Sequence, residues 1–180
     1  MSDIVLISGS PTLRSRSGAL LEYAAERLIA EGLRATTLSI RDYPAEDLIL
    51  GRYDSPAFNE TKRLVGEARG IIVGTPVYKA SFTGSLKALL DILPVQAFRN
   101  KTLLPIASGG AAAHLLVLDY AIKPVLSALG ASDILQGVYV TDAQVQFAED
   151  GQSLIDDEIL TRLTRELDSL ISKVTLPAPF

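Results

Sequence analysis

The chain has 180 residues, of which 48% are apolar and 21% charged, so we predict a single folded domain over residues 1–180. The net charge is -4 and the sequence has no basic block, which argues against nucleic acid as a partner. The chain has no cysteine and a single histidine, which argues against disulfides, iron–sulfur clusters and zinc. No basic segment precedes the first apolar run, and no run reaches the roughly 18 residues of a membrane span, so we expect a cytoplasmic protein without a membrane segment.

The first part of the chain predicts a strand, a helix and a second strand. Residues 4–7 are a short continuous apolar run, which is typical of a strand buried on both faces of a parallel sheet. Apolar residues recur at helical spacing over residues 17–30, and Gly32 stands where a C-terminal cap belongs. Residues 33–40 predict the second strand.

The remaining elements continue this alternation. Ser55 and Pro56 are typical of a helix start and predict a helix to about residue 68. Further strands are predicted over residues 71–75, 102–107 and 134–140, and further helices over residues 83–93, 111–129 and 156–174. The prolines in the tail 176–180 cannot extend the last helix, so we expect that tail to be mobile.

Five strands alternating with five helices predict an α/β fold with a doubly wound, five-stranded parallel sheet and helices on both faces. We expect the flavodoxin-like strand order 2-1-3-4-5. Such sheets bind ligands at the carboxyl ends of their strands, near the point where the strand order reverses. The loops after Ser8, Thr75 and Ala107 therefore form one predicted site.

The loop over residues 8–17 indicates a phosphate site. Pro11 stands where a Rossmann loop needs its second glycine, and the glycine–lysine pair of a Walker loop is missing. Hydroxyls and guanidinium groups directly before a helix suit a phosphate monoester, which on this fold favours FMN. The predicted ligands are Ser10, Thr12, Arg14, Ser15, Arg16 and Ser17. The alternative is a serine-rich helix cap with solvated arginines.

The loops after the third and fourth strands suit a flavin ring. A flat ring needs backbone that passes close to its edge and an apolar or aromatic wall, and a lysine can stabilise negative charge on the reduced ring. The residues expected around it are Pro76, Val77, Tyr78, Lys79, Ser108, Gly109 and Gly110. The alternative is that proline and glycine here only end the strands.

From Ile4 to about Asp142 the chain resembles the NADPH-dependent FMN reductases of the alkanesulfonate-utilisation (SsuE) type. The similarity rests on the motifs SGSPTLRSRSGALLEYA, DSPA, GTPVYKASFTGSLKALLDILP and SGGAAAHLLVLDYAIKPVLSALGA. It implies a flavodoxin-like fold, FMN and NADPH, with phosphate contacts from Ser10, Ser15, Arg16 and Ser17. Thr12 stands where many relatives carry arginine, so one charged contact is missing or comes from Arg14.

The resemblance also implies a π-bulge at Tyr120, at a tetramer interface near the flavin. Such bulges are frequent at functional sites. The residues alone favour another interpretation, in which Tyr120 is a half-buried aromatic packed on the sheet and Pro124 kinks the helix.

The predicted function is NAD(P)H-dependent reduction of FMN; the resemblance implies NADPH, and the residues carry no signature that separates NADPH from NADH. The hydride transfer needs proximity and orientation but no catalytic acid–base residue and no metal. We expect reduced FMN to pass to a two-component monooxygenase of organosulfur (alkanesulfonate) metabolism, and the enzyme to be a homo-tetramer, a dimer of dimers. One alternative is a flavodoxin-like electron carrier that keeps its FMN, and another is a quinone or azo-compound reductase. A hydrolase triad around His114 is rejected because no serine has a nucleophile-elbow motif.

Overall fold

The computed structural model describes residues 3–175. The strands of its main sheet are β1 (Ile4–Ser8), β2 (Ala35–Ser39), β3 (Gly70–Pro76), β4 (Thr102–Gly109), β5 (Asp133–Ile134) and β6 (Val138–Thr141). The α-helices are α1 (Arg16–Ala30), α2 (Ala45–Ile49), α3 (Asn59–Glu67), α4 (Gly84–Ile92), α5 (Lys123–Ala128) and α6 (Asp157–Thr175). The predicted mobile tail, residues 176–180, lies outside the described residues.

All pairs in this sheet are parallel, and the strand order is β2-β1-β3-β4-β5, with β6 also paired to β4. The predicted flavodoxin-like order 2-1-3-4-5 is therefore confirmed. Because β1 lies between β2 and β3, the strand order reverses beside β1. The carboxyl ends of β1, β3 and β4 are neighbours at one edge of the sheet.

The prediction of one strand over residues 134–140 is wrong. Two short strands replace it: β5 pairs with Thr102 and Leu103, and β6 begins opposite Ile106. The gap faces Pro105, which has no N–H to donate. Opposite it, Gly137 adopts φ +92, and a Cβ atom there would lie 2.7 Å from the Pro105 carbonyl oxygen, so the strand breaks at a position that needs glycine.

Helices cover both faces of the sheet, as predicted. One face carries α1 and α6, and the other carries α3, α4 and α5, so each face has its own buried apolar cluster. Alternating strand residues supply the two clusters: Ile4, Leu6 and Ile72 face α1 and α6, whereas Val5, Ile7 and Ile71 face the other helices. These strands are buried on both faces, which is why they are continuous apolar runs in the sequence.

Side-chain caps stand at the starts of two α-helices and of one 3-10 turn. Ser15 caps α1, Thr83 caps α4, and Ser55 precedes Pro56 in a 3-10 turn, Pro56–Phe58, that leads into α3. The predicted starts of these helices lie within two residues of these caps, apart from the added 3-10 turn.

The predicted helix over residues 111–129 is not one regular α-helix. It consists of a 3-10 segment (Ala112–Leu116), a π-helical turn (Leu118–Ile122) and α5. Pro124 stands in the first turn of α5, where its missing N–H removes one helical hydrogen bond. The short helix α2 and an antiparallel hairpin of β7 (Val145–Phe147) and β8 (Ser153–Ile155) were not predicted.

Candidate functional site

The loop after β1 is held in place by close backbone contacts. The Gly9 amide donates to the Gly74 carbonyl oxygen at 2.7 Å, and the Thr83 hydroxyl donates to the Gly9 carbonyl oxygen at 2.6 Å. A Cβ atom on Gly9 would lie 2.8 Å from the Cβ of Leu86, so only glycine lets α4 approach so closely. The loop is thereby attached to both β3 and the start of α4.

Ser10 and Thr12 form a turn inside this loop. The buried Ser10 hydroxyl accepts from the Thr12 amide at 3.2 Å and lies 3.1 Å from the Thr12 hydroxyl. The Thr12 hydroxyl can also donate to the Arg14 carbonyl oxygen, at 3.0 Å. These two predicted phosphate ligands therefore bond to each other, and a phosphate would compete for the Thr12 amide.

Ser15 and Ser17 stand at the start of α1. The Ser15 hydroxyl accepts from the Gly18 amide at 3.0 Å and caps the helix. Ser17 is 0% exposed, and its hydroxyl is the one buried side-chain polar atom without a hydrogen-bond partner among residues 3–175. An unpaired buried hydroxyl costs about 1–3 kcal/mol, a cost that a ligand supplying the missing partner would remove.

The two arginines of the loop have different surroundings. Arg16 donates from Nε to the carbonyl oxygens of Val145 at 2.9 Å and Asp142 at 3.2 Å, and its Nη1 lies 3.3 Å from the Asp142 carboxylate. Arg14 is exposed beside Gly151, and its side chain has no hydrogen bond or ion pair within residues 3–175. Arg16 thus fastens the loop to the chain after β6, and Arg14 keeps a free guanidinium.

The loop after β3 contains a strained turn. Tyr78 and Ser81 exchange backbone hydrogen bonds of 2.8 and 3.1 Å, and the central residues Lys79 and Ala80 have φ +50 and +63. Left-handed backbone costs a non-glycine residue roughly 1–2 kcal/mol. Strain of this kind clusters at ligand-binding segments. Tyr78 is 49% exposed, so its ring is available as a wall.

The loop after β4 brings backbone close to the loop after β3. The Val77 amide donates to the Ser108 carbonyl oxygen at 2.7 Å. A Cβ atom on Gly109 would lie 2.8 Å from the Tyr139 hydroxyl oxygen, whereas one on Gly110 would have no neighbour nearer than 3.8 Å. A side chain at position 109 would therefore force Tyr139 to shift, whereas position 110 borders open space.

The three loops enclose a cleft of about 240 Å³. Most of the predicted cofactor-binding residues line it together: Thr12, Arg14, Ser15, Arg16, Pro76, Val77, Tyr78, Ser108, Gly109 and Gly110. Ser10, Ser17, Lys79 and Tyr120 are not among its lining residues. The structure thus brings the three loops to one place, as their positions in the sequence predicted.

Two residues of this site were missed from the sequence. Asp142 lines the cleft and pairs with Arg16. Thr83 is 1% exposed, and besides its bond to Gly9 its hydroxyl accepts from the Leu86 amide at 3.2 Å. Their positions held a signal, since Asp142 directly follows a strand and Thr83 precedes a helix.

The electrostatics of the cleft favour an anion. Arg14 and Arg16 line the cleft, and Lys79 directly follows the lining residue Tyr78. The lining also includes one carboxylate, that of Asp142. Burial raises the pKa of the Tyr139 phenol, and the Asp142 carboxylate adds to this. Tyr139 therefore stays neutral and donates to the Ala111 carbonyl oxygen at 2.6 Å, which fixes the chain just after Gly110.

Tyr120 lies in the π-helical turn, as the resemblance implied, and it is 80% exposed. The alternative prediction of a half-buried ring packed on the sheet is therefore wrong. Leu115 and Leu116, in the preceding 3-10 segment, are 46% and 54% exposed. This helical segment presents apolar side chains to solvent.

Residues 3–175 contain no group of three or more His, Cys, Asp or Glu side chains that could hold a metal ion. No helix in the same range is both long and apolar enough to cross a membrane.

Comparison with known proteins gives consistent matches. The sequence profile of the family described as NADPH-dependent FMN reductase matches residues 2–146. An FMN reductase (NADPH) of Pseudomonas putida KT2440 is 55% identical over 146 residues, 81% of this chain and 74% of that protein. An FMN reductase (NADPH) of Escherichia coli K12 is 44% identical over 165 residues, 88% of this chain and 86% of that protein. The solved apo structure of an NADH:FMN oxidoreductase (EMOB) superposes with a TM-score of 0.85 at 34% identity, covering 99% of this chain and 92% of that one.

Proposed function

This chain belongs to the NADPH-dependent FMN reductase family, and from that premise we propose that the cleft between the three loops is where the enzyme holds FMN for reduction by NADPH. Because it belongs to this family, the chain is an oxidoreductase that uses FMN and NADPH. One observation carries the assignment to this cleft. The loop after β1, whose hydroxyls and arginines suit an anion, meets the loops after β3 and β4, which suit a flat ring, at the carboxyl ends of the strands.

In this proposal the phosphate of FMN lies in the loop after β1. Ser10, Thr12 and Ser15 supply hydroxyl or backbone donors, and Arg14 supplies the guanidinium. The hydroxyl of Ser17 is buried and, among the described residues, unpartnered but does not line the cleft, so the proposal requires a shift of the loop that lets a phosphate oxygen become its partner. Arg16 holds the loop against the chain after β6 and lines the cleft.

The flavin ring lies between Pro76–Lys79 and Ser108–Gly110. Gly110 lets backbone approach the ring edge, Tyr78 forms a wall, and Lys79 stabilises negative charge on the reduced ring. The chemistry that FMN and NADPH supply is a hydride transfer between them. The chain contributes binding, orientation and exclusion of water, which accounts for a cleft without an acid–base pair.

The wider role in the cell is also a proposal. Reduced FMN passes to a two-component monooxygenase of organosulfur (alkanesulfonate) metabolism, and the single domain of residues 1–180 works in the cytoplasm. The enzyme assembles as a homo-tetramer, a dimer of dimers, with Tyr120 at an interface near the flavin. The exposed side chains of Leu116 and Tyr120 support such an interface.

The decisive experiment mixes purified protein with NADPH and FMN in air. NADPH consumption that is catalytic and rises with added FMN is the expected result. A single turnover of bound flavin would instead identify an electron carrier. Consumption that depends on an added quinone or azo compound would identify the other reductase class.

Two variant sets test the assigned residues. Replacing Ser15 and Ser17 with alanine should weaken FMN more than riboflavin, because riboflavin has no phosphate; equal losses for both would remove the phosphate assignment. Tyr120→Ala should change flavin retention or oligomeric state, measured by gel filtration with light scattering. If neither changes, Tyr120 has no part in cofactor binding or assembly.

A further inference from the structure

A second cavity lies beside the FMN cleft. Its volume is about 270 Å³, and its walls come from the helical segment after β4, the break between β5 and β6, and α6. Thr141 lines this cavity, and its neighbour Asp142 lines the cleft. Ala112 likewise lines this cavity, and Gly110, two residues earlier, lines the cleft. The two spaces therefore border the same two backbone segments, residues 110–112 and 141–142. An elongated ligand that crosses these segments at the surface would have one end in each space.

The break in the fifth strand creates this cavity. Pro105 and Gly137 interrupt the pairing with β4, and the exposed Gln136 stands in the gap as part of the lining. Leu115 and Leu118 form an apolar wall on the helical side. The cavity thus combines a polar opening in the sheet edge with an apolar surface.

The polar groups of the cavity favour an anion. Arg162 is half-buried, and its guanidinium has no hydrogen bond or ion pair within the described range 3–175. The lining carboxylate, Asp119, is already paired with Lys123 at 2.6 Å. Gln144 accepts from the Thr141 amide at 2.9 Å and from its hydroxyl at 3.1 Å through Oε1, which leaves the amide N–H groups of Gln144 to donate.

We propose that this cavity binds the adenosine 2′-phosphate end of NADPH, with Arg162 as the phosphate ligand. The inference rests on the proposed function, which brings NADPH to the adjoining cleft. A guanidinium fork suits a phosphate monoester dianion, and the leucine wall suits an adenine face. The volume is below that of pockets that enclose a whole drug-sized ligand, so it fits one end of a dinucleotide. The phosphate of FMN is assigned to a different segment, the loop after β1, whose Arg16 contacts Asp142.

The test uses 2′,5′-ADP as the probe and 5′-AMP and inorganic phosphate as comparisons, with affinities measured by calorimetry on the full chain. Arg162→Gln should weaken 2′,5′-ADP by about tenfold or more, the loss typical of a charge-assisted hydrogen bond, and should leave the FMN affinity unchanged. Arg99→Gln is the matched control, because Arg99 is exposed at the opposite edge of the sheet, before β4. Steady-state kinetics should show a raised KM for NADPH and an unchanged KM for NADH.

The proposal is overturned if 2′,5′-ADP binds the unchanged protein no better than 5′-AMP or phosphate, or if Arg99→Gln causes the same loss. Should Arg162→Gln not fold, Gln136→Glu places a negative charge in the same cavity from an exposed position. It should also weaken 2′,5′-ADP, and an unchanged affinity would overturn the proposal. Failure of FMN-dependent NADPH oxidation by the unchanged protein is a separate result, because it would refute the proposed function and not the binding of this probe.

Discussion

Replacing Ser17 with alanine should stabilise the ligand-free protein while weakening FMN. The Ser17 hydroxyl is 0% exposed and has no partner within residues 3–175, and such a group costs about 1–3 kcal/mol. Alanine removes the hydroxyl and keeps Cβ, so we expect the free energy of unfolding to rise by about 1 kcal/mol and Tm by about 2–4 °C. Loss of a hydrogen bond to phosphate, about 1.5–3 kcal/mol, should weaken FMN roughly 10- to 150-fold.

Calorimetry of the ligand-free proteins and fluorescence titrations with FMN and riboflavin measure both effects. Ser172→Ala is the control, because Ser172 is exposed in α6 and bonds only to the Ser169 carbonyl oxygen. It reports the gain that alanine brings to any helix, a few tenths of a kcal/mol. A lower Tm for Ser17→Ala than for this control, or equal losses of FMN and riboflavin, would refute the reasoning.

Three further predictions concern strain, close packing and pH. Ala80→Gly should raise the free energy of unfolding by about 1 kcal/mol, because it relieves a residue at φ +63; a fall in Tm would contradict this. Gly109→Ala should lower the free energy of unfolding by about 1–3 kcal/mol, since the new Cβ lies 2.8 Å from the Tyr139 hydroxyl oxygen. Gly110→Ala should leave Tm nearly unchanged. Similar effects of the two substitutions would argue against this difference in packing. Hydrogen bonds from Arg34 hold the pKa of the Asp3 carboxyl below its ordinary value of 3.8. The contribution of these hydrogen bonds to the free energy of unfolding is therefore present above that pH and lost as the pH falls through the lowered pKa. In urea titrations at several pH values, Asp3→Asn should flatten the acid side of the curve of stability against pH. An unchanged curve would contradict this prediction.

The strand order and most helix starts follow from the sequence for physical reasons that act locally. Residues 4–7 are apolar throughout because β1 is buried on both faces, and that pattern identifies a central parallel strand. Ser55 and Thr83 stand at helix starts because their hydroxyls satisfy backbone N–H groups there. The cleft follows in turn, since parallel strands bring the loops after β1, β3 and β4 to one edge.

The features that the sequence did not predict depend on contacts between distant segments. The break at Gly137 is a response to Pro105, which stands on another strand and offers no N–H. The hairpin of β7 and β8 lies outside the main sheet, and Arg16 bonds to the Val145 carbonyl oxygen at its start. A single sequence shows each of these residues but not which segment lies opposite it.

The loop after β1 is largely satisfied without a phosphate, and this bears on how tightly FMN is held. The Thr12 amide already donates to Ser10, and Arg16 already donates to two carbonyl oxygens. A phosphate that takes the Thr12 amide replaces one hydrogen bond by another, so the net gain is only the difference between them, about 1 kcal/mol or less. Among the described residues, the Arg14 guanidinium has no existing partner, the Ser17 hydroxyl has none either, and the Ser15 hydroxyl accepts from the Gly18 amide but keeps its O–H to donate. Such a loop favours moderate affinity, which suits the proposed release of reduced FMN better than it suits an electron carrier that keeps its flavin.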